Sequence, residues 1–170
     1  NTTLSSLSNA GIYIKSQAQY ADYYEEAGVW SGTLTDFDNV SMYKINLTGS
    51  SGNITYEGFT LTPSEVPLTI NSGWNWVSYI PSESIDINTA LASLGSDAVY
   101  IKSQSGFADY YPDQGIWNGN ILTLDPKDGY MINATNASTL TYPDPGSFLS
   151  SHIINEEPSI NEYHWSFDYR

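Results

Sequence analysis

YIKSQAQYADYYEEAGVWSG at residues 13–32 returns as YIKSQSGFADYYPDQGIWNG at residues 100–119. Extended back to Asn1 and Asn88, the two stretches align without a gap and share 17 of 32 positions. The match resumes with Tyr43, Ile45 and Asn46 against Tyr130, Ile132 and Asn133, and with Ile54-Thr55-Tyr56 against Leu140-Thr141-Tyr142. A period near 87 residues means two copies of one supersecondary unit. The copies are unequal. LTINSGWNWVSYIPSESIDI (residues 68–87) precedes the second copy, and the first has no counterpart because the sequence starts at Asn1. The expected division is copy 1 over residues 1–60, copy 2 over 61–143 and a tail over 144–170.

Within copy 2, Trp74 to Ile80 is aromatic and β-branched, follows a Gly73 turn and reads as a strand that Pro81 ends. Ile87, Leu91 and Leu94 fall at helical spacing, so a short helix is expected over Asn88 to Leu94, capped by Ser84 or Asp86 and stopped by Gly95. Further strands are expected at Val99-Tyr100-Ile101, Ile116 to Leu124, Tyr130-Met131-Ile132 and Ser138 to Tyr142, with turns at Asp113-Gln114-Gly115 and Asp128-Gly129. Copy 1 follows the same course from a helix over Thr2 to Leu7. The fold class is a β-rich α+β chain: two tandem multi-stranded units with one short helix each, plus a C-terminal extended strand. In that strand Tyr163, Trp165, Phe167 and Tyr169 alternate with His164, Ser166 and Asp168. Strict alternation marks a half-buried strand, and four aromatics left in water are an apolar liability that docking would remove.

The run SGWNWVSYIP…YIKSQSGFADYY…IWNG…LDPKDGYMI…TLTYP resembles a tandem repeat of large secreted prokaryotic cell-surface proteins, with a G-W-N strand, a Y-Y and W-x-G middle and a G-Y-M strand. In copy 1 the G-W-N strand is missing and Ser41-Met42-Tyr43 stands for G-Y-M. The resemblance implies an extracellular, surface location and a repeat architecture, not an activity.

Nineteen acidic residues against five basic ones give a net charge of −14, which removes the basic stripe that nucleic acid needs and disfavours anionic membranes. No apolar run approaches the ~18 residues of a membrane span, so membrane insertion is not expected. No signal peptide is present, which reads as a mature or trimmed chain. The absence of cysteine excludes disulfides, thiol chemistry and Cys-rich zinc sites. Abundant Asn, Ser, Thr and Gly beside 14 Tyr fit a secreted or self-associating protein. Sequons stand at Asn1, Asn39, Asn46, Asn53, Asn133 and Asn136, either as N-glycosylation sites or as ordinary turn and strand polarity.

No catalytic set is found. The two histidines, His152 and His164, lie in the tail, away from any nucleophile elbow. No cofactor is expected. The oxygen-rich turns at Asp36 and Asp38, and at Asp125 and Asp128, could hold Ca²⁺ but lack the calcium-loop spacing, so turn chemistry is the main reading. The repeated aromatics Tyr20, Tyr23, Tyr24 and Trp30, returning as Phe107, Tyr110, Tyr111 and Trp117, read mainly as core. Tyr24, Trp30, Tyr111 and Trp117 remain as candidates for stacking on sugar rings.

Two functions follow. The first is a non-enzymatic extracellular structural protein that assembles head to tail, into a filament or surface layer. In it the tail strand (Tyr163, Trp165, Phe167, Tyr169) fills the place of the missing G-W-N strand in a neighbouring copy. The alternative is a carbohydrate-binding or adhesive module of a larger secreted surface protein, with a polysaccharide as partner.

Overall fold

The computed structural model describes residues 4, 7, 11–48, 53–56, 59–146 and 163–166; for residues 53, 55, 56 and 163–166 it describes the backbone alone. It is β-rich, with several antiparallel sheets and, among the described residues, one α-helix. The chain divides into two compact units. Unit 1 comprises Asn1–Asp38, Tyr43–Thr60 and Glu156–Arg170, and unit 2 comprises Asn39–Met42 and Leu61–Asn155.

In unit 1, β1 (Gly11–Lys15), β2 (Tyr20–Tyr24), β3 (Val29–Gly32) and β4 (Lys44–Leu47) form a sheet of order β3-β2-β1-β4. β5 (Asn53–Tyr56) lies in a separate two-stranded sheet. The β2–β3 turn closes on Gly28 at φ 63°, a left-handed conformation that glycine adopts without steric cost. Leu4, Leu7, Ile14, Ala21, Trp30 and Ile54 form the buried core, and Tyr43, Ile45, Leu47 and Leu34 are only partly buried against it. The helix expected over Thr2 to Leu7 lies outside the described residues except for Leu4 and Leu7, whose backbones are joined by one hydrogen bond (Leu7 N–H to Leu4 O, 3.1 Å).

Unit 2 contains β6 (Leu68–Ile70), β7 (Gly73–Ser78), β8 (Ile85–Asp86), α1 (Ile87–Ala90), β9 (Ala98–Lys102), β10 (Phe107–Tyr111), β11 (Ile116–Gly119), β12 (Thr123–Leu124), β13 (Gly129–Ala134) and β14 (Ser138–Leu140). Its main sheet runs β11-β10-β9-β13-β7, with β12-β8 and β14-β6 as two-stranded companions. Pairings recur at the sequence period: Tyr13↔Asp22 and Ile14↔Ile45 in unit 1, Tyr100↔Asp109 and Ile101↔Ile132 in unit 2.

Several expectations are refined. The helix is a single turn, capped by the Asp86 carboxylate, which accepts from Asn88 N–H and Thr89 N–H, and a 3-10 turn over Ala92–Leu94 continues it. The single strand expected from Ile116 to Leu124 is broken after Gly119. There the N–H groups of Asn120 and Ile121 both turn to Phe107 O, and the Asn120 side chain accepts from Phe107 N–H. β6 was not expected at all.

The G-W-N motif has a local physical cause. Gly73 takes φ 93°, and Asn75 points inward, its amide donating to Asn71 O and Gly73 O while its carbonyl accepts from Asn71 N–H. A buried amide with these bonds satisfied pins the β6–β7 turn. Val77 points inward as well, which leaves Trp74 on the opposite, outward face. Beyond β7, Asn39–Met42 lies alongside it: Ser41 bridges Val77, Ser78 N–H donates to Val40 O, and the Ser78 hydroxyl donates to Asn39 O. This cover blunts the edge of the sheet.

β15 (Tyr163–Ser166) pairs antiparallel with β5, with Tyr163↔Tyr56 and Trp165↔Ile54. In unit 2 the corresponding strand, β14, pairs with β6 through Leu140↔Leu68. The described part of the tail therefore stands on β5 of its own chain, in the place β6 holds in unit 2, and not in the place of the G-W-N strand. Phe167 and Tyr169 lie outside the described residues.

Candidate functional site

Along β7, β13, β9, β10 and β11 one cross-strand row reads Trp74, Asn133, Tyr100, Asp109, Asn118. The neighbouring row brings Lys102 opposite Met131 and Phe107. Strand alternation explains the arrangement. Val77, Tyr130, Ile132, Ile101, Ala108 and Trp117 face the core, so the intervening residues face out. Trp74, on the edge strand β7, is 41% exposed, and Phe107, the first residue of β10, 45%. The rings make a continuous surface. Trp74 meets Tyr100 edge to face at 5.9 Å, and Tyr100 lies nearly parallel to Phe107 (14°) at 6.0 Å. The Lys102 ammonium sits 4.6 Å from the Trp74 ring centre, within cation–π range.

Unit 1 carries a reduced version. Asn46, Tyr13, Asp22 and Ser31 form the equivalent row, Lys15 lies 5.5 Å from the Tyr13 ring, and Tyr20, 51% exposed, stands where Phe107 stands. Nothing among the described residues of unit 1 takes the place of Trp74.

The proposed sugar-stacking residues separate. Tyr24 and Tyr111 are exposed at the ends of β2 and β10. Trp30 and Trp117 are buried, with Tyr23 and Tyr110 tilted against them at 5.4 and 5.3 Å, so both tryptophans belong to the cores. Sequence reading passed over Trp74 and Tyr100. The signal that finds them is the alternation of Gly73-Trp74-Asn75-Trp76-Val77, in which the inward Asn and Val force Trp74 outward.

The acidic turns are internally bonded. The Tyr43 hydroxyl accepts from Asp38 N–H (2.9 Å), and the Tyr130 hydroxyl accepts from Asp125 N–H (2.8 Å). Asp36 accepts from the Thr35 hydroxyl, while Asp125 accepts from the Ser84 and Thr123 hydroxyls. Partial desolvation, and then the charge of Asp125, hold the Asp128 carboxyl above its usual range. Among the described residues no three His, Asp or Glu side chains gather into a metal-holding group. Of the sequons, Asn39 and Asn136 are exposed, Asn46 and Asn133 lie half-buried in β4 and β13, the side chain of Asn53 is outside the description, and Asn1 is outside the described residues. His164 falls in β15 and His152 lies outside the described residues.

Behind the row, burial pushes the Tyr79, Tyr130 and Tyr142 hydroxyls well above the ordinary tyrosine range. Tyr79 packs edge on against both others, at 6.3 and 5.2 Å, and donates to Glu83 O, while Tyr142 donates to Ser78 O. They form a satisfied structural core. Unit 1 contains a cavity of about 240 Å³ lined by Leu4, Ala21, Trp30, Leu34 and Phe37. Phe37 stands at the period position of Leu124, which in unit 2 pairs with Ile85 of β8. The cavity thus opens where unit 2 has its β8 cover.

Compared with known proteins, the chain matches no family, no curated protein and no solved structure.

Proposed function

We propose that this chain is a non-enzymatic extracellular structural protein, two copies of one repeated unit, that assembles head to tail by β-strand complementation. One observation carries the reading. In the first copy β5 takes a strand from the far end of the chain, in the place that β6 holds against β14 in the second. A strand that completes a sheet from a distant stretch of chain can do so in a second subunit at the same register, the exchange that underlies domain swapping. Main-chain hydrogen bonds then supply affinity and alternate side chains supply register. A contact that joins the tail of one subunit to the first copy of the next does not close on itself, so it propagates as a filament or layer. The abundance of Asn, Ser, Thr and Gly beside 14 Tyr, and the exposed sequons at Asn39 and Asn136, support an extracellular setting.

Removing residues 159–170 tests this. Sedimentation of the full chain is expected to show oligomers that grow with concentration, and the shortened chain should be monomeric and stay so when tail peptide is added. Because a free tail peptide would occupy the same site, adding it to the full chain should shorten the oligomers. A full chain that stays monomeric at high concentration overturns the proposal.

A further inference from the structure

We propose that the outward face of the five-stranded sheet of unit 2 is a binding platform for a neutral glycan chain, with Trp74, Tyr100 and Phe107 stacking on sugar faces. The inference is independent of strand complementation and rests on different residues.

Four features of the face favour that occupant. A contiguous exposed patch of aromatic rings marks an interaction surface more often than chance. Here every ring has a polar neighbour in register: Asn133 lies between Trp74 and Tyr100, Asp109 between Tyr100 and Asn118, and Lys102 beside Phe107. A pyranose presents C–H bonds on its faces and hydroxyls around its rim, so it needs rings and hydrogen-bonding groups interleaved in this way. A purely apolar protein partner would desolvate Asn133 and Asp109 without offering them hydrogen bonds, at a cost for each.

Charge narrows the class. Lys102 and Asp109 offset one another on the platform, and the surrounding chain is strongly acidic. An anionic polymer is repelled, and a neutral one is not. Shape narrows it again. The rings of Trp74, Tyr100 and Phe107 lie on an open sheet face across β7, β9 and β10, whereas a site for a single small molecule is concave. An extended chain, laid across strands about 4.8 Å apart, meets several rings at once. Finally, the Tyr, Lys, Asp and Asn of the face occur in both copies, as Tyr13, Lys15, Asp22 and Asn46 and as Tyr100, Lys102, Asp109 and Asn133. Among the described residues nothing in unit 1 stands where Trp74 does, so unit 2 holds the stronger site.

The test uses the full chain in affinity electrophoresis through gels containing soluble glucan, xylan, mannan or galactan, with polygalacturonate as the anionic comparison. Retardation by at least one neutral polymer and none by polygalacturonate is expected. Trp74→Ala and Phe107→Ala should each weaken binding about tenfold, the scale of losing an aromatic anchor, and Trp74→Phe should retain part of it. Phe59→Ala, at an exposed aromatic outside the face, should leave binding unchanged. Thermal unfolding of each variant checks that the fold is intact. Absence of binding to all four neutral polymers overturns the proposal, as does binding that survives both alanine variants. Loss of self-association in place of glycan binding in Trp74→Ala would make the face a protein interface and overturn it too.

Discussion

Ile45 and Ile132 stand at equivalent positions of sequences that fold alike around them, yet Ile132 is wholly buried and Ile45 is not. The same holds for Tyr43 against Tyr130, Leu47 against Ala134 and Leu34 against Ile121, each partly buried in unit 1 and buried in unit 2. Local chemistry does not separate them, since Tyr43 and Tyr130 make the same hydrogen bond to the backbone of Asp38 and Asp125. The difference is cover. In unit 2, Leu68 and Ile70 of β6, Val77 of β7, Tyr79 and Ile85 of β8 join the core. Unit 1 has β15 in one of those places and a cavity beside another. A sheet's own sequence sets its alternation; which positions become core depends on what is laid over it.

The largest effect expected from this contrast is in paired truncations. Ile132→Ala should destabilise unit 2 by ~2–5 kcal/mol, the range for emptying a packed site. Ile45→Ala should cost less than about 1.5 kcal/mol, because a partly exposed side chain loses less on truncation and its surroundings are looser. Urea unfolding followed by near-ultraviolet circular dichroism measures both. Equal costs would mean that unit 1 is as well covered as unit 2. A smaller effect concerns the tyrosine cluster found in unit 2. Tyr79→Phe removes the bond to Glu83 O and should cost ~1 kcal/mol at neutral pH. Buried phenols with raised pKa values favour folding fully while unfolded tyrosine is still protonated. That contribution falls as pH rises above ~10, where the unfolded chain releases its protons and the folded chain holds them. The intact protein should therefore lose stability steeply in alkali, and the Tyr79→Phe variant less steeply. Equal slopes would remove Tyr79 from the cluster's titration.

Much of this fold is legible in the sequence because local rules carry it. The Gly115 turn, the Asp86 cap and the Gly95 stop each follow from nearest-neighbour chemistry. β6 was hidden because Leu68-Thr69-Ile70 is too short to declare a period, and its pairing with β14 spans the whole copy. The partner of the tail strand is not legible for a related reason. Aromatic alternation identifies a strand but not its partner, and the register Trp165↔Ile54 depends on long-range geometry. Trp30 and Trp117 were offered as surface residues on residue type alone. Strand alternation turns both inward, while the same rule turns Trp74 outward.

Strand complementation at a defined register is the central claim, and the absence of native cysteine makes it directly measurable. Paired residues in an antiparallel ladder stand about 4.5–5.5 Å apart at Cα, within disulfide reach. Ile54→Cys and Trp165→Cys are introduced separately, and the two single variants are mixed at high concentration under mild oxidation. The account predicts a cross-linked species containing one of each chain, and a ladder of covalent oligomers from the double variant. A double variant that cross-links only within its own chain, with no mixed species from the single variants, would contradict it.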